Sequence, residues 1–185
     1  VRAIPIGLNC FEQGPEMQTA VLQLHRAAHR VGRRAESFGE RPKQLWVNFG
    51  NTHARRKVAW EHFCGDAKAR KAPKPWATCV VKKEKNAVRG NPHLVKYYEQ
   101  VASHRYVAAP RGNGLDTHRF WEALYLGCVP VVERGPLDAL YERVGALIVK
   151  SWKDITPALL DAAYASRAAA AANATAVLTA SHWRK

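Results

Sequence analysis

YVAAPRGNGLDTHRFWEALYLGCVPVVE, residues 106–133, decides the fold. Val107 to Ala109 are small and apolar, as a strand buried on both faces would be, and Pro110 stops that strand because it cannot donate to a sheet ladder. Gly112 and Gly114 let the backbone take positive φ or approach a ligand closely. Either Asp116 or Thr117 is placed to cap a helix whose inward side is Trp121, Leu124 and Tyr125. Gly127 ends the helix, and Cys128 to Val132 make the next strand. Strand, glycine turn, helix and strand form a βαβ unit, in which ligands bind at the carboxyl ends of the strands, where the first helical N–H groups point outward unpaired.

The same alternation continues on both sides. Leu45 to Phe49, Ala77 to Val81 and Ala146 to Val149 read as strands. A helix runs from about Ala54 to Cys64 with Thr52 as its cap, another from Pro92 to Ala102, and a short one ends near Arg143. The expectation is an α/β, Rossmann-like parallel sheet of five strands with helices on both faces, its strand order left open. Residues 1–43 read as a linker or inter-domain segment with a helix from Pro15 to the arginines of 30–34. Residues 44–155 read as the Rossmann-like domain, and 156–185 as an Ala-rich helical tail packed on it.

The candidate site follows from the chemistry of the turn. Arg111 and Arg119 bring two guanidinium forks to the backbone N–H groups of Gly112, Asn113 and Gly114, a match for phosphate oxygens. Asp116 and Thr117 fix the loop, and His118 is within reach of a phosphate or of a neighbouring group. Glu122, on one helix face with Arg119, offers a ribose diol two acceptors. Arg55 and Arg56 stand in the first turn of a helix, where the dipole does not favour cations, so one of them is expected to meet an anion.

Composition narrows the rest. A chain of 185 residues suits one domain and is too short for two complete Rossmann-like domains. The start at Val1 reads as a cut fragment. No run approaches the roughly 18 apolar residues of a membrane helix, and no signal peptide is visible. The net charge of +14 attracts polyanions, although HRAAHRVGRR, HARRK and KARKAPK lie in separate stretches with few aromatics between them. Cys10, Cys64, Cys79 and Cys128 lack CxxC spacing, which argues against zinc. Cys79 and Cys128 read as buried small hydrophobes, and a Cys10 to Cys64 bridge is open to a chain in an oxidising compartment. There is no DxD carboxylate pair, and no metal ligand set or cofactor is expected.

The run PRGNGLDTHRFWEALYLGCVPVVE resembles the nucleotide-sugar motif of exostosin-like glycosyltransferases, which use the two-domain GT-B fold. IPIGLN and VNFGNTHARR stand in the order that family shows, so the likeness spans residues 3–150. It implies that this chain is the carboxyl-terminal, donor-binding half of such an enzyme. It also implies a nucleotide-diphosphate sugar as donor, a UDP-sugar favoured over a GDP-sugar, and a glycan or protein hydroxyl as acceptor. Inversion at the anomeric carbon, a catalytic base outside this chain on an amino-terminal acceptor domain, and residence in the Golgi or endomembrane lumen follow from it too. The rival partner, favoured by charge alone, is a nucleic acid or other polyanion, and a third reading is a glycosyltransferase-like domain that binds without catalysis.

Overall fold

A computed structural model describes Leu24 and residues 41–50, 52–66, 68, 70–80 and 94–173, with side chains over 96–167 of the last stretch. The expected helix from Pro15 and the end of the tail lie outside the described residues, apart from Leu24, which is helical and buried. In chain order the elements are β1 (Lys43–Val47), α1 (Ala54–Cys64), β2 (Ala77–Cys79), α2 (Leu94–Ala102), β3 (His104–Ala108), α3 (His118–Tyr125), β4 (Val129–Glu133), α4 (Asp138–Arg143) and β5 (Leu147–Val149). A 3-10 turn (Trp152–Asp154) and α5 (Pro157–Asn173) follow.

The five strands form one sheet in the order β2-β1-β3-β4-β5, every pair parallel. The fold is therefore α/β and Rossmann-like. Leu45, Tyr106 and Val129 stand side by side across the three central strands. These strands are apolar on both faces because both faces are covered. On one face Leu45, Val47, Tyr106 and Val131 pack with Phe63 of α1 and with Leu160 and Tyr164 of α5. On the other, Trp46, Val107 and Cys128 pack with Tyr98 and Val101 of α2 and Ala123 of α3, while Val132 meets Trp121 and α4 residues. Right-handed crossovers require this division: the chain moves one way across the sheet from β1 to β2 and the opposite way from β2 through β5.

Pro130 sits inside β4 without disturbing the sheet. Val131 turns its carbonyl toward β3, where it accepts from Ala109 N–H at 2.9 Å. Its neighbour Pro130 therefore faces β5, which begins only opposite Val131. The missing N–H costs no ladder bond. Helices α3 and α4 both end in a Schellman motif on a left-handed glycine. After α3, Gly127 (φ 69°) donates to Leu124 O and Cys128 to Ala123 O. After α4, Gly145 donates to Glu142 O and Ala146 to Tyr141 O.

Three local expectations are corrected. The α1 cap is His53, whose Nδ1 accepts from Arg55 N–H, rather than Thr52. Cys64 bonds to Cys79, which excludes its bridge to Cys10 and removes Cys79 from the free hydrophobes. Spacing hides that pairing because α1 folds back over β2 only once the crossover is made. Neither Gly112 nor Gly114 has positive φ.

Candidate functional site

Strand order 2-1-3-4-5 reverses direction between β1 and β3, and at such a switch point the loops leaving the two strands part and open a crevice. The loop after β1 brings Asn48, Gly50 and the start of α1; the loop after β3 brings residues 109–117. Most of the expected site residues stand at this edge of the sheet.

Arg56 joins the two loops. Its Nε donates to Arg111 O at 3.0 Å and its Nη1 to Gly50 O at 3.2 Å. The guanidinium lies so close over Gly112 that a Cβ there would be 2.8 Å from Nη2. The group that comes close to Gly112 thus belongs to the protein, where the sequence pointed to a ligand. Arg119 comes in from α3 and donates to Tyr97 Oη at 2.6 Å, while Tyr97 itself donates to Asn48 Oδ1 at 3.4 Å. Asn48 Nδ2 donates to Val80 O, which anchors this chain to the sheet edge.

Two guanidinium groups and a carboxylate set the electrostatics of this edge. Burial, and then the nearby Arg119, lowers the Arg56 pKa. Burial alone would lower that of Arg119 as well, but the Tyr97 phenol and the Glu122 carboxylate outweigh it and raise the value. Glu122 also lies against Tyr98, whose phenol is pushed up by burial first and by that carboxylate second. Two half-buried guanidinium groups repelling each other, one of them hydrogen-bonded among the described residues to carbonyl oxygens alone, would gain from an anion placed between them. Among the described residues, the N–H groups of Gly112, Asn113 and Gly114 find no acceptor, and Arg111 Nε and Thr117 Oγ1 are buried without a partner.

Asp116 has a different role from that of a helix cap. Thr117 occupies the cap position and its side chain makes no cap bond. Asp116 Oδ1 accepts from Thr117 N–H and Tyr141 Oη, and Oδ2 accepts from Trp121 Nε1. Its carboxylate ties the loop to the α3–α4 core, so it shapes the loop from behind. His118 opens α3, half-buried; Asn113 and Gly114 are exposed at the loop tip.

Arg55 parts from Arg56 and turns to the other side of the loop. It pairs with Glu133 at 3.8 Å, and with Arg111, Leu115, Glu133, Arg134 and Tyr141 it lines a shallow cleft of about 120 Å³ between the loops after β3 and β4. Sequence reasoning missed Tyr97, Asn48 and Glu133. For Glu133 the signal was present, since it closes β4 at the carboxyl end; for Tyr97 there was none, because its partner is 22 residues away on another helix. Among the described residues no group of three or more His, Cys, Asp or Glu side chains is placed to hold a metal ion, and no helix is long and apolar enough to cross a membrane. No model of a known protein family matches the chain, and no curated protein matches it.

Proposed function

We propose that this chain binds a nucleotide-diphosphate sugar and is the donor-binding half of a glycosyltransferase acting on a glycan or protein hydroxyl. One observation supports this above the others: Arg56 spans the loops after β1 and β3 over Gly112, near enough to Arg119 for the two charges to repel, at the switch point of a doubly wound sheet. There the diphosphate would lie between the two guanidinium groups and take the loop N–H donors. In glycosyl transfer the departing diphosphate gathers negative charge, and preorganised donors of this kind stabilise it. The arginines supply positive charge that a divalent ion supplies in other enzymes, so binding is expected to proceed without added metal. Glu122, one turn into α3, would accept from the ribose hydroxyls. The acceptor's base would come from an amino-terminal domain of the parent protein, with inversion at the anomeric carbon. The Cys64–Cys79 disulfide suits an oxidising compartment such as the endomembrane lumen.

Calorimetric titration of UDP and GDP, with chelator present and at low and high salt, tests the reading. Saturable binding that persists with chelator and weakens only moderately in salt is the expected result. Strict dependence on Mg²⁺ or Mn²⁺ would overturn the site as drawn. Binding of a DNA duplex that collapses in salt, with none of either nucleotide, would favour the polyanion reading suggested by the net charge of +14.

A further inference from the structure

We propose that the cleft between the loops after β3 and β4 seats the sugar of the donor, and that Glu133 accepts hydrogen bonds from its hydroxyls and so selects which sugar is bound. This rests on the nucleotide reading above and assigns Glu133 a role within it. Arg111 makes the two compartments continuous: its carbonyl is held by Arg56 on the anion side, and its side chain lines the cleft on the other. A cleft of about 120 Å³ is well below the roughly 300 Å³ at which pockets for whole ligands begin, so it suits one small polar unit of a larger molecule.

The mixture of charges identifies that unit. Arg55, Arg111 and Arg134 alone would make a second phosphate site, but Glu133 stands among them with only 21% of its side chain exposed. A half-buried carboxylate repels an anion. It accepts from hydroxyls while the arginines donate to the same or neighbouring oxygens, the pairing that a polyol needs. The ion pair with Arg55 is a weak reason for a carboxylate there, because Arg55 is more than half exposed and a pair at 3.8 Å in that setting contributes little. Burial pushes the Glu133 carboxyl up, and Arg55, followed by Trp152, draws it back. The residue closes β4, so its backbone is held by the sheet, as a selecting group must be.

Calorimetry of the wild-type chain and of Glu133→Gln, with UDP, UDP-glucose, UDP-N-acetylglucosamine, GDP and GDP-mannose, tests the assignment. At least one nucleotide sugar should bind the wild type roughly tenfold more tightly than its bare diphosphate, and Glu133→Gln should abolish that gain while leaving diphosphate affinity unchanged. Equal losses for diphosphate and sugar conjugate would overturn the proposal, as would sugars that bind the wild type no better than diphosphate. Deoxygenated analogues of the best sugar need no variant. Removing the contacting hydroxyl should reproduce the loss seen with Glu133→Gln and should not add to it; additivity at every hydroxyl would also overturn the assignment. Failure of both diphosphates to bind would remove the nucleotide reading itself, whereas diphosphate binding without any sugar gain removes only this proposal.

Discussion

Gly112 shows how a single hydrogen can shape the site. A methyl group at that position would meet Arg56 Nη2 at 2.8 Å, the far end of a flexible side chain. Arg56 can swing aside, so Gly112→Ala should cost at most about 1 kcal/mol of stability while weakening UDP binding roughly tenfold through the displaced guanidinium. In an Arg56→Ala background the same change should have almost no effect on binding. Isothermal titration of the two single variants and the double variant measures this coupling. Glu122 is the other residue whose role binding can settle. The sequence marks it as a carboxylate for ribose; the structure adds Arg119 and Tyr98 as its neighbours. If it also meets the ribose, the losses from Glu122→Ala and from 2′,3′-dideoxy-UDP should overlap instead of adding, and full additivity would remove Glu122 from the site.

Between elements, the Cys64–Cys79 disulfide joins the carboxyl end of α1 to edge strand β2 across a separation of 15 residues. β2 is three residues long and pairs, among the described residues, with β1 alone, so the crosslink holds a short element in place. Closing a loop of that length in the unfolded chain is worth about 3 kcal/mol in the chain-entropy account. Reduction, or Cys64→Ala with Cys79→Ala, should lower stability by about that amount in urea unfolding. Because α1 also carries Arg55 and Arg56 at its opposite end, UDP affinity measured on the folded, reduced chain should fall only modestly. The proposed anion site is held by bonds from Arg56 to both loops, which the disulfide does not touch.

At the scale of the whole molecule, the two edges of the sheet are built for different ends. The carboxyl edge keeps arginines and loop N–H groups available, whereas the amino edge uses its polar groups internally. There Arg41, buried, donates to His104 O, Leu126 O and Cys128 Sγ, and Arg105 pairs with Asp161. Part of the large basic charge is therefore structural. His104 is fully buried with Nδ1 at 2.7 Å from Gln100 O and Nε2 at 2.8 Å from Thr78 Oγ1, so Nδ1–H donates and Nε2 accepts. Burial is the main cause that lowers its pKa to about 4. The unfolded chain takes up a proton that the native state refuses, so this contribution is complete above about pH 6.5 and is lost as pH falls toward 4. His62, shifted the same way, adds to the loss, and Glu133, shifted upward, opposes it. The expected loss is about 3 kcal/mol between neutral and acid conditions, measured by urea unfolding as a function of pH. His104→Gln should flatten that dependence.

Secondary structure was legible in the sequence because its signals are local. The bounds of α1, the stop at Gly127 and the strands around residues 107, 131 and 148 follow from side-chain period, glycine and proline over a few neighbours, and with them the α/β class. The glycine loop's place at a strand's carboxyl end was readable for the same reason, whereas Arg111 and Arg119, expected together beside it, reach a cleft with Arg55 and the Tyr97 phenol respectively. Tertiary structure alone decided the order 2-1-3-4-5, and through it which groups meet. Arg56 reaches Gly112 and Arg119 reaches Tyr97 because β3 lies beside β1. Arg55 faces Glu133 because α1 begins at the edge where β4 ends, and Cys64 finds Cys79 because α1 crosses back over β2. Each pairing joins segments far apart in the chain, so its distance is set by strand order and crossover hand, which no local pattern of residues encodes.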